Sequence, residues 1–218
     1  MPDGRKYMRR IIFATGNQEK MKEIRQIMDG MPVEVCSMKE AGIRCEVEEN
    51  GKTFAENARL KADGIAAVLR KMYEKAGKEY ADIVLADDSG LEIDALNKEP
   101  GVYSARYMGE DTSYHEKNAN LVSRLDGVPE EKRTARFVCA IAAVLPDGTV
   151  IDTQATIEGY IGYEEKGENG FGYDPIFCVP EFNCTTAELT MEQKNKISHR
   201  GKALTAMKEE LIKRAWIG

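Results

Sequence analysis

The chain has 218 residues, 42% hydrophobic and 31% charged, with 31 basic against 37 acidic residues and a formal net charge of −6. That is the balance of a globular protein with a substantial core, and it excludes a general nucleic-acid binder, which needs a basic face. Five cysteines (Cys36, Cys45, Cys139, Cys178, Cys184) without CxxC spacing exclude a disulfide framework or a zinc site, and no apolar run is long enough to span a membrane.

Residues 1–8 read as an N-terminal extension. The apolar run after Arg9 and Arg10 is only Ile11 to Ala14, too short for a signal peptide, so a cytoplasmic protein with reduced thiols is expected. Ile11 to Ala14 reads as a short buried strand. Asn17 caps a helix from Gln18 to about Asp29, with Met21, Ile24, Ile27 and Met28 on one face. Val33 to Val35 is a second strand. Thr53 and Glu56 form a capping-box pattern that opens a long helix to about Lys75, and Arg70 to Asp82 extends it away from the other features. Ile83 to Ala86 reads as a buried strand that delivers Asp87 and Asp88 at its C-terminal end, and Leu91 to Leu96 as a separate, half-exposed strand. A helix follows from Tyr114 to Leu125. Ala135, Phe137, Cys139, Ile141 and Ala143 alternate along one long strand, and Thr149 to Ile157 returns as its hairpin partner after Pro146-Asp147-Gly148. Ser198 caps a C-terminal helix with Ala203, Met207 and Leu211 inward. The pattern predicts an α/β protein: one domain over 1–218 with a mixed central sheet flanked by helices, and a cleft between a strand-helix lobe and a hairpin-bearing lobe.

Four segments carry chemistry. Thr15-Gly16-Asn17-Gln18-Glu19-Lys20 lies at a strand-to-helix turn, where free N–H groups, the helix dipole and a lysine suit a phosphate. It lacks the spacing of a Walker loop, and a plain capped helix would look the same. Asp87-Asp88-Ser89-Gly90 puts two carboxylates side by side, which suits a cation such as Mg²⁺, though the tetrapeptide is also good turn chemistry. Glu46, Glu48 and Glu49 form an acidic cluster that could complete a metal site or remain a solvated loop. Asn57 has no role that the sequence alone assigns. Phe171, Gly172, Tyr173 and Asp174, behind Gly170, offer a flat aromatic platform approached by backbone. Lys194, Ser198, His199 and Arg200 gather at a helix start, where the dipole disfavours cations, so a polar or anionic partner is expected.

Taken together, Thr15-Gly16-Asn17 with Lys20, Phe54 with Glu56-Asn57-Ala58 and Lys61-Ala62, Ala86 to Leu91, Pro100 to Tyr107, Gly170 to Pro175, and Ala187-Glu188-Leu189 with Lys194 and Ser198-His199-Arg200 resemble the inosine triphosphate pyrophosphatase family. The resemblance runs over about residues 9–210 in family order. Glu165-Lys166 stand where many relatives carry Pro-Arg or Pro-Ala. The resemblance implies a homodimer that cleaves non-standard purine nucleoside triphosphates (ITP, dITP, XTP) to monophosphate and pyrophosphate with Mg²⁺. By position, it implies that Thr15 to Lys20 bind phosphates, that Asp88 is proton acceptor and metal ligand, and that Ser89 touches substrate. It puts Phe171 to Asp174, Lys194, His199 and Arg200 at the nucleotide, and the second metal carboxylate at Glu48 or Glu49. Donors from His199 and Arg200 would satisfy the 6-keto group of hypoxanthine or xanthine. A purine triphosphate sensor without hydrolysis, or a phosphatase releasing orthophosphate, would share part of this set.

Overall fold

The computed structural model describes residues 9–217; the expected extension over 1–8 lies outside them. Strand β1 (Arg9–Phe13) is followed by α1 (Gln18–Ile27), β2 (Val33–Ser37), α2 (Phe54–Lys75), β3 (Ile83–Ile93), α3 (Tyr114–Arg124), β4 (Thr134–Val144) and β5 (Val150–Ile161). Two short strands, β6 (Phe177–Val179) and β7 (Cys184–Thr185), precede α4 (Met191–Ile197) and α5 (His199–Lys213). All seven strands join one sheet in the order β2-β1-β3-β4-β5-β6-β7. The pairs β1–β2 and β1–β3 are parallel, and every later pair is antiparallel. The mixed α/β sheet expected from the pattern is therefore present. It is continuous through both halves of the chain, so no break in it marks off two lobes.

Alternation along the strands divides the core. Ile11, Phe13, Ile83, Leu85, Ile141 and Ala143 face α1 and α5, and bury Met21, Ile24, Leu204 and Leu211 with them. Ile12, Val84, Ala86, Val138, Ala140 and Ala142 face α2, packing on Phe54, Ala58, Ala62 and Leu69. A third cluster around Leu91, Phe137, Ile157, Tyr173 and Phe177 carries α3 and the aromatic loop.

One sequence expectation fails here. Asp87 and Asp88 do not end a strand, and Leu91 does not begin a new one: Ile83–Ile93 is a single strand of 11 residues. All of it after Ile83 is paired antiparallel with β4, from Val84 opposite Val144 to Ile93 opposite Ala135. Asp-Asp-Ser-Gly makes a turn only where no neighbouring strand claims its backbone, and β4 claims it. The expected hairpin partner is also longer than its alternation suggested, ending at Ile161. Helix α4, which carries Lys194, was not foreseen; Thr190 and Gln193 close a capping box at its start.

Candidate active site

The parallel neighbour β1 pairs with β3 only as far as Leu85 and then gives way to the turn before α1. From there until Glu92 bridges Pro100 no strand among the described residues covers that edge of β3, at the place where the sheet changes from parallel to antiparallel pairing. Open α/β sheets hold ligands at such switch points. A pocket of about 290 Å³ lies there, lined by Thr15, Gly16, Asn17, Lys20, Glu49, Lys61, Asp88, Ser89, Tyr114, Phe171, Tyr173, Asp174, Lys194, His199 and Arg200, among others. Gln18 and Glu19 begin α1 just beside it. A larger open groove of about 710 Å³ on α1, α4 and α5 holds no aromatic side chain.

Because strand side chains alternate, adjacent Asp87 and Asp88 point to opposite faces of the sheet. They do not share one cation. Asp87 and Ser89 face α1 and α5. The Asp87 carboxylate is fully enclosed and meets Lys20 Nζ at 3.0 Å and Arg200 at 3.4 Å. Burial opposes its ionisation, but Lys20 and Arg200 hold its carboxyl well below the usual range. Asp88 faces α2. Its Oδ2 accepts from Asn57 Nδ2 at 3.0 Å and its Oδ1 from the Ser89 N–H at 3.0 Å. Burial, with some help from Glu49, pushes its pKa up to about 6 against the Asn57 hydrogen bond.

Glu49 and Lys61 form an ion pair of 2.8 Å on the same pocket wall. Glu48 is exposed and not part of that wall. Among the described residues, no three His, Cys, Asp or Glu side chains converge as a complete metal cage would. Of the pocket's carboxylates Asp174 is taken up by Lys194, and Asp88 with Glu49 forms an all-oxygen pair that fits Mg²⁺, which takes one or two carboxylates and leaves the rest to water and phosphate. A buried carboxylate with a raised pKa and no ion pair of its own is a site that a divalent cation would satisfy.

The far wall is a buried chain of alternating charge. Lys20 meets Asp87, Asp87 meets Arg200, Arg200 meets Glu23, Glu23 meets Lys194 at 2.8 Å, and Lys194 meets Asp174 at 2.7 Å. Burial works against the charges of Asp87, Glu23, Lys194 and Arg200. The pairing nonetheless lowers the Glu23 pKa and raises those of Lys194 and Arg200. Here the two cations at the start of α5 and on α4 find the anionic partners their placement called for. Four hydrogen bonds from Arg200 go to Glu23, Asp87 and Ser89 Oγ. The guanidinium lines the pocket while most of its donors are held within the protein, because α1 brings Glu23 beneath it.

Asp174 also accepts from the Phe171 N–H at 2.8 Å and from Thr186 Oγ1 at 2.8 Å, which shapes the aromatic loop. Gly170 takes a left-handed φ of 75°, and a Cβ there would collide with the Asp174 carboxylate. Phe171 lies over Lys194 (5.1 Å) and Arg200 (5.7 Å). Tyr173 is buried, meets Tyr114 edge-on, and donates its hydroxyl to Ser104 O at 2.7 Å. Glu165 accepts from Asn118 at 2.6 Å and pairs with His115, while the Lys166 N–H donates to Pro175 O, so both ends of the loop are tied down. His199 stacks on Phe137 at 4.9 Å. Burial, then Arg200 and Lys194, pushes its pKa well down, so the ring is neutral. Its Nδ1 is buried without a hydrogen-bond partner among the described residues.

Sequence reasoning passed over Glu23, which reads as one more charged residue on an amphipathic helix; its spacing from Lys20 on α1 could have placed it on the inner face. Asn57 and Lys61, also on the pocket side, stand at positions 57 and 61 of α2, an i, i+4 pair on one helix face.

A mixed sheet with a pocket of this make-up at its switch point defines an α/β protein with a candidate ligand site between strand β3 and the helices α1, α2 and α5. The chain belongs to the Ham1 family, whose model matches residues 11–210. It is 48% identical to the dITP/XTP pyrophosphatase of Caldanaerobacter subterraneus over 207 residues, covering 95% of this chain and 98% of the relative. To the dITP/XTP pyrophosphatase of Bacillus subtilis it is 45% identical over 204 residues, 94% and 98% of the two chains. The solved structure of the Staphylococcus aureus Ham1 protein superposes with a TM-score of 0.80 at 39% identity, covering 94% of this chain and all of that one. A HAM1 protein from Coxiella burnetii also gives 0.80, at 36% identity.

Proposed function

We propose that the chain hydrolyses non-standard purine nucleoside triphosphates (ITP, dITP, XTP) to the monophosphate and pyrophosphate, with Mg²⁺ as cofactor, and works as a homodimer in the cytoplasm. The observation that carries this reading is the asymmetry of one pocket. Aromatic Phe171, Tyr173 and Tyr114 form one wall, Lys20, Lys61 and the start of α1 another, and Asp88 opens into the same space. The names of the relatives supply the substrate class.

Attack by water on the α-phosphorus requires charge neutralisation, a proton acceptor and a stabilised leaving group. Mg²⁺, held by Asp88 and Glu49, would supply neutralisation of the triphosphate charge. Lys20, Lys61 and the N–H groups at the start of α1 bind the phosphates and favour the departing pyrophosphate. Asp88 takes the proton from the attacking water. Its orientation by Asn57 and the Ser89 N–H suits a base that must face the attacking water. Phe171 and Tyr173 hold the base by stacking. His199, neutral and lining the pocket, donates a ring N–H to a 6-keto oxygen. Adenine's amino group would leave that buried donor unpaired, which disfavours ATP. Arg200 and Lys194 hold the shape of this wall.

The test is product analysis. ITP and Mg²⁺ are expected to yield IMP and pyrophosphate, at a kcat/KM well above that for ATP. Diphosphate plus orthophosphate as first products would mean a phosphatase, and binding without turnover a sensor.

A further inference from the structure

Asn57 sits at the start of α2 and is 1% exposed, yet it neither lines the pocket nor packs as a helix surface residue would. Its amide is used at both ends. Nδ2 donates to Asp88 Oδ2 at 3.0 Å, and Oδ1 accepts from the Gly51 N–H at 2.8 Å. Gly51 belongs to the loop between β2 and α2 that carries Glu49. A Cβ at Gly51 would stand 2.7 Å from Asn57 Oδ1, so the loop is seated directly on the amide. The next residue repeats the pattern: the Lys52 N–H donates to Glu56 Oε2 at 2.6 Å. One buried side chain therefore ties strand β3 to the acidic loop, and through them Asp88 to Glu49.

We infer that Asn57 is a positioning residue. It fixes the rotation of the Asp88 carboxylate and, in the same contact, the place of the Glu49 loop, so that the two acids address one point. A carboxylate oxygen has two lone pairs. With Asn57 on Oδ2 and the Ser89 N–H on Oδ1, each oxygen keeps one lone pair in a set direction. An isolated Asp side chain would sample its broad χ2 well. Only an amide serves both ends, because a carboxylate has no donor for Asp88 and an amine no acceptor for Gly51.

This inference rests on the function proposed above, and the experiment separates the two. Asn57→Leu keeps the volume and removes both bonds. Asn57→Asp keeps the acceptor for the Gly51 N–H and puts an acceptor where Asp88 needs a donor. Both are assayed with ITP at saturating Mg²⁺, well below their melting temperatures, and binding of Mn²⁺ to the nucleotide-free proteins is followed by calorimetry. Residues that orient a metal-site carboxylate are typically worth 10–100-fold in affinity or activity. Both variants are expected to lose kcat by about tenfold or more with KM within about threefold, and Asn57→Leu to bind Mn²⁺ at least about tenfold more weakly. A helix residue with a merely structural role would lower the melting temperature and leave kcat of the folded protein unchanged. Asn57→Asp folded, with kcat within about twofold of wild type, overturns the inference while wild-type pyrophosphate release upholds the proposed function. Should the wild type release no pyrophosphate, the proposed function fails, and unchanged Mn²⁺ binding in Asn57→Leu then overturns the role of Asn57 as well.

Discussion

Replacing Asp88 by asparagine is expected to destroy activity and to stabilise the metal-free protein. The Asp88 carboxyl has an ordinary value of 3.8 and is raised to about 6 in the fold, chiefly by burial. A folded-state pKa above the unfolded one means that the folded protein holds this proton more tightly, so stability from the group is present below pH 3.8 and lost as pH rises through 6. At 1.36 kcal/mol per unit, the ionised carboxylate costs the fold about 3 kcal/mol at pH 8, and about half of that at pH 5. Asparagine removes the charge but returns part of the gain. Its single Oδ1 can accept from Asn57 Nδ2 or from the Ser89 N–H, not both. The lost bond costs about 1 kcal/mol. A net gain of about 2 kcal/mol remains at pH 8, or roughly 4–8 °C for a domain of this size. Thermal melts with chelator at pH 8 and pH 5 test this, alongside turnover of ITP, which should fall by at least ~10²-fold. An Asn variant no more stable than wild type at pH 8, or equally stabilised at both pH values, would refute the argument that burial of an uncompensated charge governs this residue.

Arg200→Ala leaves Glu23 and Asp87 buried without their shared cation, so a loss of about 3–5 kcal/mol is expected; a melting temperature lowered by less than ~4 °C would show that the alternating charges do not depend on it. Glu23 and Asp87 have pKa values depressed below those of the unfolded chain, so their contribution is full above about pH 5 and drains away as pH falls through the folded values. Glu23→Gln should accordingly flatten the acid limb of a stability–pH curve, and an unaltered limb would exclude Glu23 as its source. Phe171→Ala removes a stacking surface worth about 1–3 kcal/mol per base, so kcat/KM for ITP should fall by roughly tenfold while inhibition by added pyrophosphate stays as it was; equal loss of both would assign Phe171 to the shape of the whole pocket. Light scattering is expected to give a dimer, and a particle of 24.4 kDa at micromolar concentration would dismiss it.

Much of this protein is local chemistry and could be read along the chain. Asn17 caps α1, with its Oδ1 accepting from Glu19 and Lys20, because a short side chain before an apolar period satisfies free N–H groups wherever it occurs. Thr53 opens α2 and Ser198 opens α5 for the same reason. The six segments that carry the family resemblance, and with them the family, were also legible, since residue type and order survive without coordinates. Pairing partners were not. Whether Asp87-Asp88-Ser89-Gly90 bends or extends depends on a strand about fifty residues away, and once β4 holds it extended, the two-residue period sends Asp87 to the charge chain and Asp88 to Asn57. Glu23, Lys194 and Arg200 are far apart in sequence, and a charge on a helix face looks solvated until another helix covers it. Tertiary packing alone decided which carboxylates are neutralised from within and which one stands in the pocket with a raised pKa, because burial and the distance between charges belong to no single segment.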